Sequence, residues 1–228
     1  MAPGSLRAIW LGRRAFEPAL ALQLALRDAV ADGRTAPTIL LVEHPATLTL
    51  GRRGQRGDVL WSPEQLAAAG VEVCETPRGG QVTLHAPGQL VAYPIVRIGF
   101  EVRRHVTRMG NAALELLASI GVEGARFGVD PLGVWHARGK LASIGVHVGR
   151  GITVQGIAIN LAVDPRLFGA LVSCGSRTSS LVNAVDVGGA PISVDVAGER
   201  FARAFAAQGG ETLEFVDAAA LETGWPAP

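Results

Sequence analysis

The sequence predicts a single α+β domain with mostly antiparallel sheets flanked by helices. Helical and strand-like segments are mixed without the strict alternation that a parallel α/β fold shows. At 228 residues, of which 48% are hydrophobic, the chain has enough material for one large core. We therefore expect one domain over residues 1–228.

The first third of the chain opens with a strand at residues 6–11. A helix at residues 17–32 follows, and Gly33 closes it. Residues 38–43 and 47–50 are apolar runs bounded by turn residues, which is typical of strands. We expect these two strands to pair, bent at the intervening His-Pro dipeptide.

A short helix is predicted from a strong start signal. Ser62 is an N-cap residue, Pro63 occupies the first helical position and Gln65 completes a capping box. This helix should end before Gly70. Further strands follow, separated by glycine- and proline-containing turns; they are residues 71–75, 81–85 and 90–96.

The second half begins with apolar residues at helical spacing over residues 102–120, which Gly121 ends. Residues 133–136 and 141–148 predict a hairpin, and residues 152–161 predict a long apolar strand. The remaining predicted elements are a short helix at 164–170, a helix at 193–208 and a strand at 212–215.

Composition excludes several classes of protein. The net charge of +1 offers no global field for nucleic acid or a membrane surface. No apolar run approaches the roughly 20 residues that a bilayer requires, and no signal peptide is evident. Two cysteines are too few for a disulfide framework and lack metal-ligand spacing. We expect a cytoplasmic protein with reduced thiols, no metal and no cofactor.

Lys140 is the only lysine among 21 basic residues. Arginine stays protonated near neutral pH, whereas a lysine in a dry, charge-coupled site can exchange a proton. A single lysine in an arginine-rich chain is equally compatible with chance. Its place at the entrance to a strand, away from an obvious solvated helix face, favours a chemical role.

Four glycine-rich segments lie at strand ends or in loops, where backbone can approach a ligand. They are residues 78–89, 140–145, 155–160 and 173–176. Turn formation explains any one of them, but four together predict a binding site.

The two cysteines differ in setting. Cys174 lies in a loop of small residues, where amides or a cation can lower a thiol pKa. Cys74 alternates with Val71 and Val73, which indicates a small apolar role in a strand. A loop cysteine and a unique lysine together fit covalent catalysis.

The segment Arg-Gly-Gly-Gln-Val-Thr-Leu-His-Ala-Pro-Gly-Gln-Leu-Val-Ala-Tyr-Pro at residues 78–94 closely resembles the signature of the lipoyl(octanoyl) transferase family. Other matching segments occur in the same order as in that family. They are residues 43–45, 49–51, 133–135, 140–145, 156–160 and 174–175.

This resemblance implies a fold like that of biotin and lipoate protein ligases, with residues 1–228 as a single catalytic acyltransferase domain. It implies transfer of an octanoyl or lipoyl group from acyl carrier protein to a lysine. The acceptors would be lipoyl domains of 2-oxoacid dehydrogenases and the glycine cleavage H protein. Three arginines of one loop, Arg52, Arg53 and Arg56, either meet acidic faces of these partners or are simply solvated.

The resemblance also assigns site residues. Cys174 becomes the thioester nucleophile, and Lys140 the group that lowers its pKa and later accepts a proton. The residues implied to bind the acyl group are Arg78, Gly79, Gly80, Gln81, Val82, Thr83, Leu84, His85, Ser143, Ile144, Gly145, Gly156, Ile157 and Ala158. The role of His85 stays open between positioning and structure.

Three positions depart from the family pattern. Ala86 and Ser173 stand where the family has glycine and proline, and Gln155 stands where it has histidine. An extra methyl at Ala86 would crowd the acyl pocket. An amide both donates and accepts, so we interpret Gln155 as a hydrogen-bonding substitute for a neutral imidazole.

Two rival functions are compatible with these residues. An ATP-dependent lipoate or biotin protein ligase would use the glycine- and arginine-rich loop at residues 51–57 for a nucleotide, but it leaves Cys174 without a role. A non-catalytic acyl-binding relative would explain the departures at Ala86 and Gln155. Turnover without ATP separates the transferase from both.

Overall fold

The computed structural model describes residues 4–172, 180–219 and 221. Within them the chain forms an eight-stranded sheet and a three-stranded sheet. The strands are β1 (Ser5–Arg13), β2 (Thr38–Glu43), β3 (Thr47–Leu50), β4 (Glu72–Glu75), β5 (Val82–His85), β6 (Gln89–Ile95), β7 (Arg126–Val129), β8 (Leu132–His136), β9 (Gly139–Gly149), β10 (Ile152–Asn160) and β11 (Thr212–Phe215). The α-helices are α1 (Phe16–Ala31), α2 (Pro63–Ala68), α3 (Val102–Ser119) and α4 (Val194–Gly209). Short 3-10 turns occupy Arg56–Asp58, Pro165–Ala170 and Val185–Val187.

The large sheet has the strand order β11-β1-β2-β6-β10-β9-β8-β7. Its pairings are antiparallel from β2 through to β7, and β1 pairs in parallel with both β2 and β11. In the small sheet, β3 pairs in parallel with β4 and antiparallel with β5. The expected α+β class with mostly antiparallel sheets is confirmed.

Helices cover both faces of the large sheet. Successive side chains of a strand point to opposite faces, and in β2 Leu41 packs toward α3 and α4 while Leu40 packs toward α1. The face under α3 and α4 holds Met109, Phe201 and Phe205, all fully buried. The two apolar layers on either side of one sheet account for most of the core.

The small sheet has its own apolar cluster, built from β3 and β5 with α2 and the turn at Pro165–Ala170. Helix α2 begins as the sequence predicts: Ser62 Oγ accepts from Gln65 N–H, and the Gln65 side chain accepts from Ser62 N–H. The capping box therefore fixes where this helix starts.

The prediction that residues 38–43 and 47–50 form one strand pair is wrong. β2 lies in the large sheet and β3 in the small one. Between them His44 is completely buried, with Nδ1 bound to the Arg14 carbonyl and Nε2 to the Tyr93 hydroxyl. Both strands are almost entirely buried, so their apolar runs carry no information about which sheet each one joins.

Strand β7 is absent from the sequence-based prediction. It is a four-residue edge strand whose side chains are exposed or half-buried, so it lacks an apolar alternation. The hairpin of β8 and β9 is confirmed, as are the helices at 102–120 and 193–208 to within a residue or two.

The two sheets meet where the loop before β5 crosses β9. Gly79 N–H donates to the Val146 carbonyl at 3.1 Å. A Cβ at Gly145 would lie only 3.0 Å from the Gly79 carbonyl oxygen, so glycine at this position permits the close approach. This contact places the loop that leads into the small sheet against β9 of the large sheet.

No helix in the described parts of the chain is long and apolar enough to span a bilayer.

Gly156 is a position where the sheet tolerates no side chain. A Cβ there would overlap the Ala92 carbonyl oxygen on β6 and lie 3.0 Å from Pro94 Cδ. We expect Gly156→Ala to lower the free energy of unfolding by about 1–3 kcal/mol, measured by urea denaturation. Gly57→Ala is the control, since nothing lies within 4 Å of its added methyl, and it should change stability by less than about 0.5 kcal/mol. Equal effects at both positions would contradict this packing.

Candidate active site

A groove of about 750 Å³ runs between the loop and strand at residues 78–84 and the centre of β9. A small cavity of about 20 Å³ adjoins it and shares Arg78, Thr83, Ser143 and Gly145 as lining residues. Together these two spaces bring Lys140 alongside every position that the resemblance assigns to acyl binding. Those lining the groove are Arg78, Gly79, Gly80, Gln81, Val82, Thr83, Leu84, Ser143, Ile144 and Gly145. Those lining only the small cavity are His85, Gly156, Ile157 and Ala158.

Lys140 lies on the groove wall with 5% of its surface exposed. Its Nζ is 5.1 Å from the centroid of the Trp135 ring, within the range of a cation–π contact. A Cβ on Gly133 would overlap Lys140 Cε and lie 3.2 Å from Nζ. Glycine at position 133 thus provides the space through which the lysine reaches the groove.

The backbone of Lys140 is hydrogen-bonded to Ser180 and Val182. Its N–H donates to the Ser180 carbonyl at 2.8 Å, and its carbonyl accepts from Val182 N–H at 3.1 Å. Cys174, with its neighbours Ser173 and Gly175, lies outside the described residues. On either side of this segment, Leu171 and Leu181 line the groove.

Arg78 is a second buried cation, also 5% exposed. Nη2 donates to the Thr49 carbonyl at 2.6 Å and to Thr49 Oγ1 at 2.9 Å, and Nη1 donates to the Gly79 carbonyl at 3.1 Å. Burial lowers the pKa of Arg78 to about 10, so it remains protonated at neutral pH. Within the described residues no carboxylate forms an ion pair with it, and its buried Nε has no hydrogen-bond partner.

A chain of hydrogen bonds leads from His85 toward Lys140. His85 Nδ1 lies 3.0 Å from Gln89 Oε1, and Gln89 Nε2 donates to Asn160 Oδ1 at 2.8 Å. Asn160 Nδ2 in turn donates to the Lys140 carbonyl at 3.4 Å. Burial, followed by the charges of His44 and Arg78, holds the pKa of His85 well below its ordinary value. Since Gln89 Oε1 only accepts, His85 is a neutral imidazole with its proton on Nδ1.

Gln155 has an unusual backbone for a residue with a side chain. Its φ is +65°, in the left-handed region, although it lies within β10. Its N–H donates to Gln23 Oε1 at 2.8 Å and its Nε2 donates to Thr76 Oγ1 at 3.1 Å. A buried, hydrogen-bonded amide therefore faces the small cavity at this position. Strain of this kind is concentrated at functional sites.

Of the other two departures from the family pattern, Ser173 lies outside the described residues and Ala86 lies away from the groove. Ala86 is fully buried in the apolar cluster of the small sheet and lines neither cavity, so it does not crowd the groove. Cys74 lies in β4 opposite Thr49. Burial raises the pKa of the Cys74 thiol, and the charges of Glu17 and Glu72 raise it further, so this cysteine is a thiol at neutral pH.

The sequence-based site omits Gln89 and Asn160, although both line the groove. Each is an amide at the end of a fully buried strand, where an unbonded polar group would be costly, and this is the signal that could have found them. Arg53 also lines the groove, while Arg52, Arg53 and Arg56 are all exposed. No cluster of three metal-ligating side chains occurs in residues 4–172, 180–219 and 221.

Residues 16–206 match the lipoyl protein ligase A/B catalytic domain. The chain belongs to this family. It is 40% identical over 195 residues to an octanoyltransferase of Chloroflexus aurantiacus, covering 82% of this chain and 87% of the relative. It is 42% identical over 186 residues to an octanoyltransferase of Acidobacterium capsulatum, covering 75% of each.

The fold of the lipoyl protein ligase A/B family extends to distant sequences. The structure of a lipoate protein ligase from T. acidophilum with bound lipoic acid superposes with a TM-score of 0.76 at 13% identity. That match covers 96% of this chain and 95% of the other. The expected ligase-like fold is confirmed.

The buried histidines should make the protein sensitive to acid. Burial lowers the pKa of His44 from 6.5 to about 4. Between these pH values the unfolded chain binds a proton at His44 that the folded chain does not. The free energy of unfolding is therefore at its full value above pH 6.5 and decreases as the pH falls toward 4. We expect His44 to account for up to about 3 kcal/mol of this loss.

Urea denaturation at several pH values between 7 and 4 measures the effect. His44→Gln should flatten the pH dependence of the free energy of unfolding without abolishing it, since the pKa values of His85 and His105 are also lowered by burial. An unchanged slope in this variant would show that His44 is not the group responsible.

Proposed function

We propose that this protein transfers an octanoyl group from acyl carrier protein to a lysine of lipoyl domains and of the glycine cleavage H protein, through a thioester on Cys174. The proposal is supported by the similarity to octanoyltransferases over most of both chains. The observation that carries the mechanism is the position of Lys140. It is the only lysine in the sequence, lies buried on the groove wall and is bound through its backbone to Ser180, six residues after Cys174.

In the first half-reaction the Cys174 thiolate attacks the carbonyl carbon of the donor thioester. The new carbon–sulfur bond forms as the bond to the carrier sulfur breaks. The carrier sulfur takes a proton from the Lys140 ammonium and leaves as a thiol, so Lys140 is neutral at the end of this step. One thioester replaces another, so the step needs no ATP. The Lys140 ammonium stabilises the thiolate that begins the reaction.

In the second half-reaction the acceptor amine attacks the acyl-enzyme, forms an amide and expels the Cys174 thiolate. The amine must lose a proton, and Lys140 in its neutral form accepts it. Amide N–H groups near residues 79–80 and 174–175 are the candidates for stabilising the tetrahedral oxyanion. Because Gly79 N–H is bound to the Val146 carbonyl, we assign this role to Gly80 on that side of the groove.

The octanoyl chain would lie along Val82, Leu84 and Ile144 and reach toward Ile157 and Ala158 at the small cavity. Apolar burial of this kind contributes about 0.8 kcal/mol for each methylene group. The polar side chains around the small cavity, Arg78, His85 and Gln155, would mark the end of the apolar track.

The first test is an intact-mass measurement after mixing the protein with octanoyl-acyl carrier protein without ATP. We expect one octanoyl adduct, and peptide mapping should place it on Cys174. Cys74→Ser should retain the adduct, since the raised pKa of Cys74 keeps it protonated. An adduct on Cys74, or full transfer by Cys174→Ala, contradicts the assignment. A requirement for ATP would instead indicate a ligase.

A second test separates the two roles of Lys140. Arginine keeps the cation but cannot act as a base near neutral pH. Lys140→Arg should therefore still form some acyl-enzyme, while transfer to the acceptor lysine fails and the acyl-enzyme accumulates. Pre-steady-state acylation and single-turnover transfer are measured separately. Equal loss in both steps would indicate misplaced geometry, and normal transfer would reduce Lys140 to an electrostatic role.

A further inference from the structure

Asn160 hydrogen-bonds to two backbone segments at the point where Lys140 pairs with Ser180 and Val182. Its Nδ2 donates to the Lys140 carbonyl at 3.4 Å on one side and to the Val182 carbonyl at 3.3 Å on the other. Asn160 is 5% exposed and lines the groove. Its own carbonyl accepts from Ala184 N–H, so its side chain and backbone both hold the chain that follows residue 180.

The orientation of the Asn160 amide follows from its neighbours. Gln89 Nε2 lies 3.0 Å from the Leu84 carbonyl, which only accepts, so this end of Gln89 is the donor. The same Nε2 donates to Asn160 Oδ1 at 2.8 Å, which leaves the Nδ2 end of Asn160 to face the two carbonyls. The Leu84 carbonyl can only accept a hydrogen bond, so it fixes the orientation of the Gln89 amide and, through it, the orientation of the Asn160 amide.

The backbone hydrogen bonds of Lys140 with Ser180 and Val182 form a parallel bridge, and the Asn160 amide spans the two segments at the same point. Lys140 is the second residue of β9 and lies next to a register shift in the pairing of β9 with β8. On one side of this shift Trp135 pairs with Lys140, and on the other Val134 pairs with Ala142. Regular ladder hydrogen bonds are interrupted at such a shift. The Asn160 side chain supplies hydrogen bonds to both segments at this point.

We propose that Asn160 is a positioning residue for octanoyl transfer, whose amide fixes the strand that carries Lys140 against Ser180–Val182 and so sets where the lysine side chain enters the groove. This inference rests on the proposed function, because it assumes that the Lys140 side chain acts on Cys174. Asn160 itself need not contact the acyl group.

Asn183 provides a matched control. It is equally buried and likewise bridges two segments, with its side chain bound to both the N–H and the carbonyl of Val163 and to Asp186. In the described structure its side-chain hydrogen bonds go to Val163 and Asp186, and not to Lys140. A general loss of packing or of a buried amide should affect both asparagines, whereas an effect through Lys140 belongs to Asn160 alone.

The experiment measures the rate at which iodoacetamide alkylates Cys174 at pH 7, in a Cys74→Ser background with one remaining thiol. This rate reports thiolate formation and needs no acyl donor or acceptor. We expect Asn160→Ser to lower it by about tenfold when Lys140 is present and by less than about twofold in Lys140→Ala. Asn183→Ser should change the rate by less than about twofold in either background. Thermal unfolding checks that each variant is folded, and Asn160→Thr replaces Asn160→Ser if the latter is not.

Equal losses for Asn160→Ser with and without Lys140 would overturn the proposal, since the residue would then act independently of the lysine. An equal loss in Asn183→Ser would do the same. If Lys140→Ala leaves alkylation unchanged, the lysine does not activate the cysteine and the inference falls with it. If the coupling is present but the wild-type protein transfers no octanoyl group, the positioning role stands and the proposed function fails.

Discussion

The groove depends on the contact between Gly79 and β9. One hydrogen bond, from Gly79 N–H to the Val146 carbonyl, joins the loop of the small sheet to the centre of the large sheet. Arg78 holds this loop to the small sheet by donating to both the carbonyl and the hydroxyl of Thr49 on β3. Because Gly145 has no side chain, the backbones of the loop and β9 approach closely enough for the Gly79–Val146 bond to form. Without this junction, the residues at 78–85 and those at 140–158 would line separate surfaces.

Two buried cations, one from each side of the groove, give it its chemical character. Arg78 and Lys140 both lie almost entirely out of solvent, and burial of a charge is costly unless something compensates for it. Glycines make the room: Gly51, Gly80 and Gly145 surround the guanidinium, and Gly133 lies beside the lysine. Several glycines therefore leave room for positive charge that is shielded from solvent. Such charge suits the proposed reaction, which passes through thiolate and oxyanion states.

Local patterns predicted most elements of the fold, because capping residues, helical spacing and apolar runs act over short stretches of chain. They did not predict that β2 and β3 join different sheets. His44 lies between these strands and bonds to Arg14 and Tyr93, which are far away in sequence, so no local pattern specifies the change of sheet. The family resemblance brought together the residues that line the groove. It gave no role to Gln89 or Asn160, whose importance lies in hydrogen bonds between strands that no local pattern specifies.

His85 and His44 are weak bases because burial lowers their pKa values. His85 is neutral, and its Nε2 lies 3.5 Å from Thr49 Oγ1. The same burial that keeps His85 neutral makes this nitrogen a poor proton acceptor, and burial likewise lowers the pKa of His44 to about 4. A water molecule entering the groove would find no imidazole able to activate it. In the proposed reaction Lys140 is the base for the acceptor amine, and these histidines add no second base that could activate water against an acyl thioester. The burial that lowers the acid stability of the protein would therefore also limit hydrolysis of that intermediate.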